Sequence, residues 1–296
     1  LQIFPVRLVR RRLLATLAAC LLCSIPFIWY DKGLFVIPVI WLSGAVYYTF
    51  IFLPRYLRRR RIASVPMDEP SRSILEKRVS YYQDLPAEEK IRYEADIRIF
   101  LAENRITGID GVEITREISL LVAATAIRLV FRRPEWEYRD FGEILIYPCG
   151  FKTDGSYSTD VRHDESAAAG MVHSDGGVIL SLPHLLRSFD HPDDGFNVGY
   201  HEFAHVLDGY RPDGVPSELD LGSYRPWVEV MQKEFEKVHR HRSVLRDYAG
   251  TNPAEFFAVS VETFFEKPHK LREKAPDLYE QLEKFFNQDP DSGRAG

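Results

Sequence analysis

The sequence predicts an α+β body preceded by a two-helix transmembrane hairpin, and three observations carry that expectation. Two long uncharged apolar stretches stand near the start of the chain. A short alternating apolar segment marks a small sheet in its middle, and helical patterning dominates from residue 197 onward. The 296 residues give room for one large soluble domain or two small ones. The hydrophobic fraction of 45% is that of a chain folding around a core rather than a disordered one.

The first apolar stretch runs from Leu13 to Tyr30 and the second from Leu34 to Pro54. At about 1.5 Å per helical residue each can cross a hydrocarbon core of about 30 Å, the first only barely. Asp31, Lys32 and Gly33 form the polar turn between them, and Trp29, Tyr30, Trp41, Tyr47 and Tyr48 include candidate interfacial aromatics. Residues 1–61 are therefore expected to form a membrane hairpin with spans at about 13–30 and 34–54, and residues 62–296 the body. Both outer flanks are basic, with Arg10 to Arg12 before the first stretch and Arg58 to Arg61 after the second. The positive-inside rule then places the hairpin in the cytoplasmic (inner) membrane with the body facing the cytoplasm. A cleaved signal peptide would account for the first stretch but not for the second stretch or its arginines.

Charge divides the same way. Residues 1–61 carry a net +9 and the remainder -14 of the overall -5. An acidic body excludes a nucleic-acid-binding surface, which needs a basic patch on the folded domain. Cys20 and Cys23 have CxxC spacing but lie inside an apolar run with no second Cys or His pair, so they read as small hydrophobes; Cys149 stands alone.

In the body, Leu85 to Asn104 reads as an amphipathic helix with Asp84 as its N-cap and Pro86 in its first turn. Glu113 to Phe131, almost continuously apolar in its second half, is a buried helix. Glu143 to Phe151 alternates like a strand, and Val178 to Leu182 is a second short strand. The Gly-, Ser-, Asp- and Ala-rich stretch from Thr153 to Gly177 reads as loops and, by composition, as a candidate flap. Helices follow over 197–208, 227–241, 253–266 and 276–287.

The chemistry concentrates in one of them. Residues 201 to 205 read His-Glu-Phe-Ala-His. On a helix, His201 and His205 lie one turn apart on one face, so both imidazoles can reach one ion. Zinc suits such a pair because it accepts imidazole and leaves a position open for water. Glu202 follows the first His and is placed to take a proton from an attacking water. A catalytic zinc normally has a third protein ligand. The pattern with a His six residues past the second is absent, since Arg211 occupies that position. Glu218, Glu229, Glu255 and Glu262 qualify by residue type. Glu255 has the best setting, because Asn252 and Pro253 suit the start of a second helix with Glu255 in its first turn. The Asn252-x-x-Glu255 spacing equally fits a capping box, in which Glu255 would only satisfy backbone donors.

The segment His201-Glu202-Phe203-Ala204-His205-Val206-Leu207-Asp208, followed by Tyr248 and Asn252-Pro253-Ala254-Glu255-Phe256-Phe257-Ala258, resembles the Mlc titration factor A family of zinc peptidases. The catalytic core of that family is in turn similar to the anthrax lethal factor protease domain. The resemblance covers roughly residues 70 to 290 and includes the Val178-Ile179-Leu180-Ser181-Leu182 strand. It implies a zincin-like metallopeptidase domain with Zn2+ held by His201, His205 and Glu255, Glu202 as general base, and Tyr248 as a hydrogen-bond donor to the oxyanion. It also matches Asp208 and Glu262 to acidic positions near the site, where they would orient the ligand histidines or stand as ordinary surface acids. His163, His173, His184, His191, His239, His241 and His269 lack paired ligand spacing and read as structural or exposed.

The expected function is hydrolysis of peptide bonds in a peptide or protein substrate near the membrane. The alternative is a zinc-containing binding protein that sequesters a transcriptional regulator, a partner known for the family that no stretch of this sequence carries over. The better-known members are soluble, so the hairpin is a departure from them.

Overall fold

The structure is a computed structural model that describes residues 6–28, 33–133, 136, 138, 142–152, 157–158, 167–168, 170–172, 177–209 and 221–292. Helix α1 (Val6–Ser24) ends in a 3-10 turn, Ile25–Phe27. Helix α2 (Gly33–Val46) continues through a π-helical segment, Tyr47–Phe52, into α3 (Leu53–Ala63). The stretch Phe35–Ala63, 29 residues long with a mean hydropathy of 1.9 over its most apolar window, is long and apolar enough to cross a membrane. Leu13–Phe27 is a shorter apolar helix. The polar turn Asp31-Lys32 and the aromatics Trp29 and Tyr30 lie outside the described residues.

Helix α1 packs against α2 where the latter has no side chain: a Cβ on Gly44 would fall 2.5 Å from Cys20 Sγ. Cys20 is buried there while Cys23 is exposed, so the two share no site. Among the described residues, the exposed large hydrophobics lie between Leu13 and Leu57, with only Val65, Ile91 and Tyr248 elsewhere. Exposed apolar side chains this concentrated are the kind of surface that a membrane or a partner protein covers.

Helix α3 is bound to the body rather than hanging from it. The body continues with α4 (Glu69–Arg78), α5 (Ser80–Gln83) and α6 (Ala87–Glu103). Arg59, fully buried, pairs with Glu103 at the end of α6 at 2.5 Å, and Arg55 reaches the same carboxylate at 3.1 Å. Arg58 donates to the Ala102 carbonyl at 2.7 Å. Part of the basic run is thus spent on a tertiary joint. Asp84 does not cap α6 as its position suggested. It closes the short helix α5 instead, and Pro86 takes the N-cap position without a side-chain bond.

Strand β1 (Ile106–Gly108) precedes α7 (Arg116–Val130), which is capped by the Thr115 side chain and buried along almost its whole length. Then come β2 (Ile144–Tyr147), β3 (Gly150–Lys152), β4 (Tyr157–Ser158), β5 (Ala167–Ala168), β6 (Gly170–Val172) and β7 (Val178–Ser181). The main sheet has the order β1-β2-β7-β6, with β1, β2 and β7 parallel and β6 antiparallel. A second, three-stranded antiparallel sheet has the order β4-β3-β5. The expected strand 143–151 therefore divides between two sheets, and the described parts of 153–177 include strands where loops were expected. The rest of that stretch, including His163 and His173, lies outside the described residues, as does the flap reading that rests on it.

The chain ends in helices α8 (Leu182–Asp190), α9 (Val198–Asp208), α10 (Leu221–His239), α11 (Pro253–Glu266), α12 (Pro268–Lys274) and α13 (Pro276–Phe286), with a 3-10 turn, Asp247–Gly250, before α11. This is the α+β architecture the sequence predicts. Helix α9 is central: it packs on α7, α8, α11 and strands β6 and β7. Gly199 makes the α7 contact feasible, since a Cβ there would lie 2.4 Å from Thr125 Cγ2.

Candidate metal centre

Two capped helices meet at the site. Helix α9 starts at Asn197, whose side chain accepts from the Tyr200 amide at 3.0 Å, and stops at Gly209, whose φ of 68° suits a residue without Cβ. Helix α11 starts at Asn252, whose side chain accepts from the Glu255 amide at 3.0 Å, with Pro253 in the first turn. These caps set where each helix starts and so the faces on which His201, His205 and Glu255 lie.

Packing of α11 on α9 then brings the three together. Glu255 Oε2 lies 2.9 Å from His201 Nε2 and 3.6 Å from His205 Nε2, and the two Nε2 atoms are 3.3 Å apart. One ligand atom from each residue falls within 4.8 Å of the others, the arrangement that can hold a metal ion. The donor set, two imidazoles and a carboxylate, is one that zinc accepts. Glu255 Oε2 is also buried without a well-aligned hydrogen bond, which is how an oxygen aimed at a cation stands. Only half of the capping box is formed: Asn252 serves the Glu255 amide, while the Glu255 carboxylate turns to the histidines.

Behind His201 sits Glu262, fully buried on α11. Its Oε1 is 2.8 Å from His201 Nδ1 and 2.5 Å from Arg246 Nη2, and its Oε2 accepts from the Asn197 amide at 2.6 Å. An Nδ1–H held by a carboxylate leaves the Nε2 lone pair free on the ligand side. Burial pulls the His201 proton affinity down, but the close approach of the Glu255 carboxylate, the hydrogen bond to Glu262 and the charges of Glu262 and Glu202 outweigh it and raise the pKa to about 10. Groups that attract a proton this strongly attract a divalent cation to the same place, and the two compete. Glu255 is pushed up by burial, but His201 and His205 outweigh that and hold it well below the usual carboxylate range.

Glu202 is 3% exposed, and among the described residues its Oε2 has no hydrogen-bond partner. Burial raises its pKa to about 7, with the two histidines pulling the other way. Tyr248 is 40% exposed, its ring 6.0 Å from that of His201. Burial of its hydroxyl and the negative charges of Glu255 and Glu202 push it up to about 12, so it keeps its proton and can donate.

The other candidates fall away from this cluster. Glu229 is an exposed partner of Arg225 at 2.9 Å on α10, and Glu218 lies outside the described residues. Asp208 is fully buried rather than a surface acid. His184 is buried against Phe196 and bonded to Ser181, while His191, His239, His241 and His269 are exposed. Arg246 and Asn197 join the site through contacts that no spacing in the sequence marks.

Comparisons with known proteins place the chain in a family of metallo-peptidases. Residues 54–287 match the model of the glucose-regulated metallo-peptidase M90 family. An uncharacterised protein of Synechocystis sp. is 30% identical over 262 residues, covering 84% of this chain and 95% of its own. Mlc titration factor A of Escherichia fergusonii is 32% identical over 223 residues, covering 70% and 82% of the two chains. That of Salmonella arizonae is 31% identical over 226 residues, covering 70% and 86%. With the match spanning α3 to α13 and including both helices of the site, the chain belongs to the glucose-regulated metallo-peptidase M90 family.

Proposed function

We propose that this protein is a zinc-dependent peptidase in which His201, His205 and Glu255 hold the metal and Glu202 is the general base. The observation that carries this reading is the convergence of those three ligand atoms beside the buried Glu202, whose Oε2 has no hydrogen-bond partner among the described residues. When bound there, zinc supplies Lewis acidity, polarising the scissile carbonyl and making water acidic. Glu202 takes the proton from the attacking water and passes it to the departing amine. The Tyr248 hydroxyl donates to the oxygen that gains charge on the scissile carbonyl. Glu262, itself held by Arg246 and the Asn197 amide, keeps the His201 ring in one tautomer and orientation.

The same reading takes residues 1–61 as a membrane hairpin and 62–296 as a zincin-like peptidase domain on the cytoplasmic face. It is supported by the uncovered apolar surface between Leu13 and Leu57 and by arginines on both outer flanks. Protease added to intact spheroplasts should leave the body uncut; digestion of the body from outside would reverse the orientation.

A second reading has a specific basis, since two of the relatives described above carry the name Mlc titration factor A. In it the protein sequesters a transcriptional regulator and turns over little or no peptide. Glu202→Gln separates the two, because it removes the base and no ligand. Hydrolysis of a peptide library that disappears in Glu202→Gln supports the peptidase. Regulator binding that survives the substitution, with no turnover of any peptide, supports the sequestering protein.

A further inference from the structure

A partly open cavity of about 440 Å³, whose lining includes none of the three ligands, lies beside the start of α9 and is lined by α5, the start of α6, the end of α7, α8, the end of α11 and the segment after α13. That volume is within the range of small-molecule pockets. Its wall includes Asn197 and Tyr200 of the α9 start, and Glu266 of α11.

The cavity also holds an unusual cation. Arg128 lines it, is 6% exposed, and lies with its guanidinium 3.6 Å from the Tyr81 ring centre and 4.4 Å from that of Phe265. Its hydrogen-bonding partners are neutral, the side-chain amide of Gln288 and the hydroxyl of Tyr200. Among the described residues no carboxylate comes within ion-pair distance of it. A buried guanidinium with neutral partners only is costly unless something negative visits it. The Tyr81 hydroxyl, also on the cavity wall, is buried beside Arg132 and makes no well-aligned hydrogen bond among the described residues.

The carboxylates around the cavity do not supply the missing charge, because each is engaged elsewhere or faces water. Glu89 is forked onto Arg132, and Asp289 is held by Arg272 and Tyr279. Glu266 accepts from the Asn197 side chain at 2.9 Å and the Gly195 amide at 3.1 Å, and Asp84 is exposed.

We propose that this cavity binds a small anion whose carboxylate or phosphate group meets the N–H edge of the Arg128 guanidinium and the Tyr81 hydroxyl, and that its occupancy acts on the metal centre. The connection is short. Asn197 is a wall of the cavity, the N-cap of α9 and, through its amide, a donor to the Glu262 carboxylate that holds His201. A ligand that shifts Asn197 or Glu266 therefore changes how His201 is presented. Binding itself is independent of the peptidase reading, and only the effect on the centre rests on it.

The test is calorimetric titration of the full chain in detergent micelles with inorganic phosphate and, separately, with succinate. At least one should bind saturably at about one site per chain. A carboxylate probe binding alone assigns an organic acid, and phosphate binding alone assigns a phosphate or phosphate ester. Arg128→Met keeps the packing between the two rings and should weaken binding by about 10- to 100-fold, the loss of a charge-assisted bond. Tyr81→Phe, a smaller change that keeps the fold if Arg128→Met does not, should weaken it by about 5-fold. Arg60→Gln combined with Arg61→Gln, on the exposed basic end of α3, should leave it unchanged. A saturating probe should shift zinc affinity several-fold, since coupling between sites is reciprocal. No saturable binding of either probe would overturn the site. So would binding untouched by both cavity variants or abolished by the α3 variant. Anion binding with zinc affinity unchanged, or with no zinc bound at all, would overturn the effector role and leave the anion site standing.

Discussion

Glu262 Oε1 lies 2.8 Å from His201 Nδ1, so the histidine that opens the His-Glu-x-x-His segment is fixed by a residue 61 positions later. This bond ties the two helices of the site through an imidazole whose other nitrogen faces Glu255. Glu262→Ala should therefore weaken zinc binding by about 10- to 100-fold, the usual cost of losing a carboxylate that orients a ligand histidine. Competition against a chromogenic chelator reads this directly, and unchanged affinity would reduce Glu262 to a packing role.

Arg246 acts one step further out. It neutralises the buried Glu262 carboxylate at 2.5 Å and lies with its guanidinium 4.8 Å from the Phe196 ring centre. Arg246→Met should lower zinc affinity less than Glu262→Ala does. In the double variant the two losses should fail to add, because both act through one contact. Full additivity would separate Arg246 from the ligand.

The Glu202 carboxylate must be ionised to act as base, so activity should fall as pH drops through its pKa. Burial sets that value at about 7 in the protein alone, and a nearby divalent cation lowers it. The acid limb of the kcat/KM profile should accordingly have its midpoint below 7. A flat profile down to pH 4 would assign the base to another group.

Gly199 is where α9 touches α7, and the clash of an added Cβ with Thr125 is with a short, buried side chain that has little room to move. Gly199→Ala should destabilise the fold by about 1–3 kcal/mol, as overpacking does. Thermal unfolding measures it, and a gain in Tm would mean that α7 and α9 separate easily.

On the other side of the body, Glu103 is the carboxylate facing the fully buried Arg59. Glu103→Ala strands that guanidinium and should cost about 3 kcal/mol, the lower end for breaking a buried pair because Glu103 keeps some contact with water. Limited proteolysis should then cut near residue 63 first. Equal resistance would show that α3 is held by its other contacts.

Legibility followed locality. Helix α9 could be read from the apolar spacing of Val198, Phe203, Ala204, Val206 and Leu207, and α11 from Asn252 and Pro253 at its start, signals written within a turn or two of each other. The role of Glu255 could not be separated from capping by spacing, since the same Asn252-x-x-Glu255 pattern permits both. The fold divides them, with the amide capped and the side chain on the histidines. Arg246 and Asn197 were invisible as site residues because their bonds to Glu262 span 16 and 65 positions. Strands β4, β5 and β6 are two or three residues long and Gly- or Ala-rich in part, too short for any alternation to register. Asp84 misled because helix α5 ends where α6 was expected to begin.

The central claim is that His201, His205 and Glu255 form one metal site, and metal content tests it most directly. The full chain, purified in detergent and reconstituted with zinc, should hold about one zinc per chain by mass spectrometry. His205→Ala and Glu255→Ala should each lose it while keeping the wild-type circular dichroism. Zinc retained at full stoichiometry in Glu255→Ala, or absent from the wild type after reconstitution, would contradict the account.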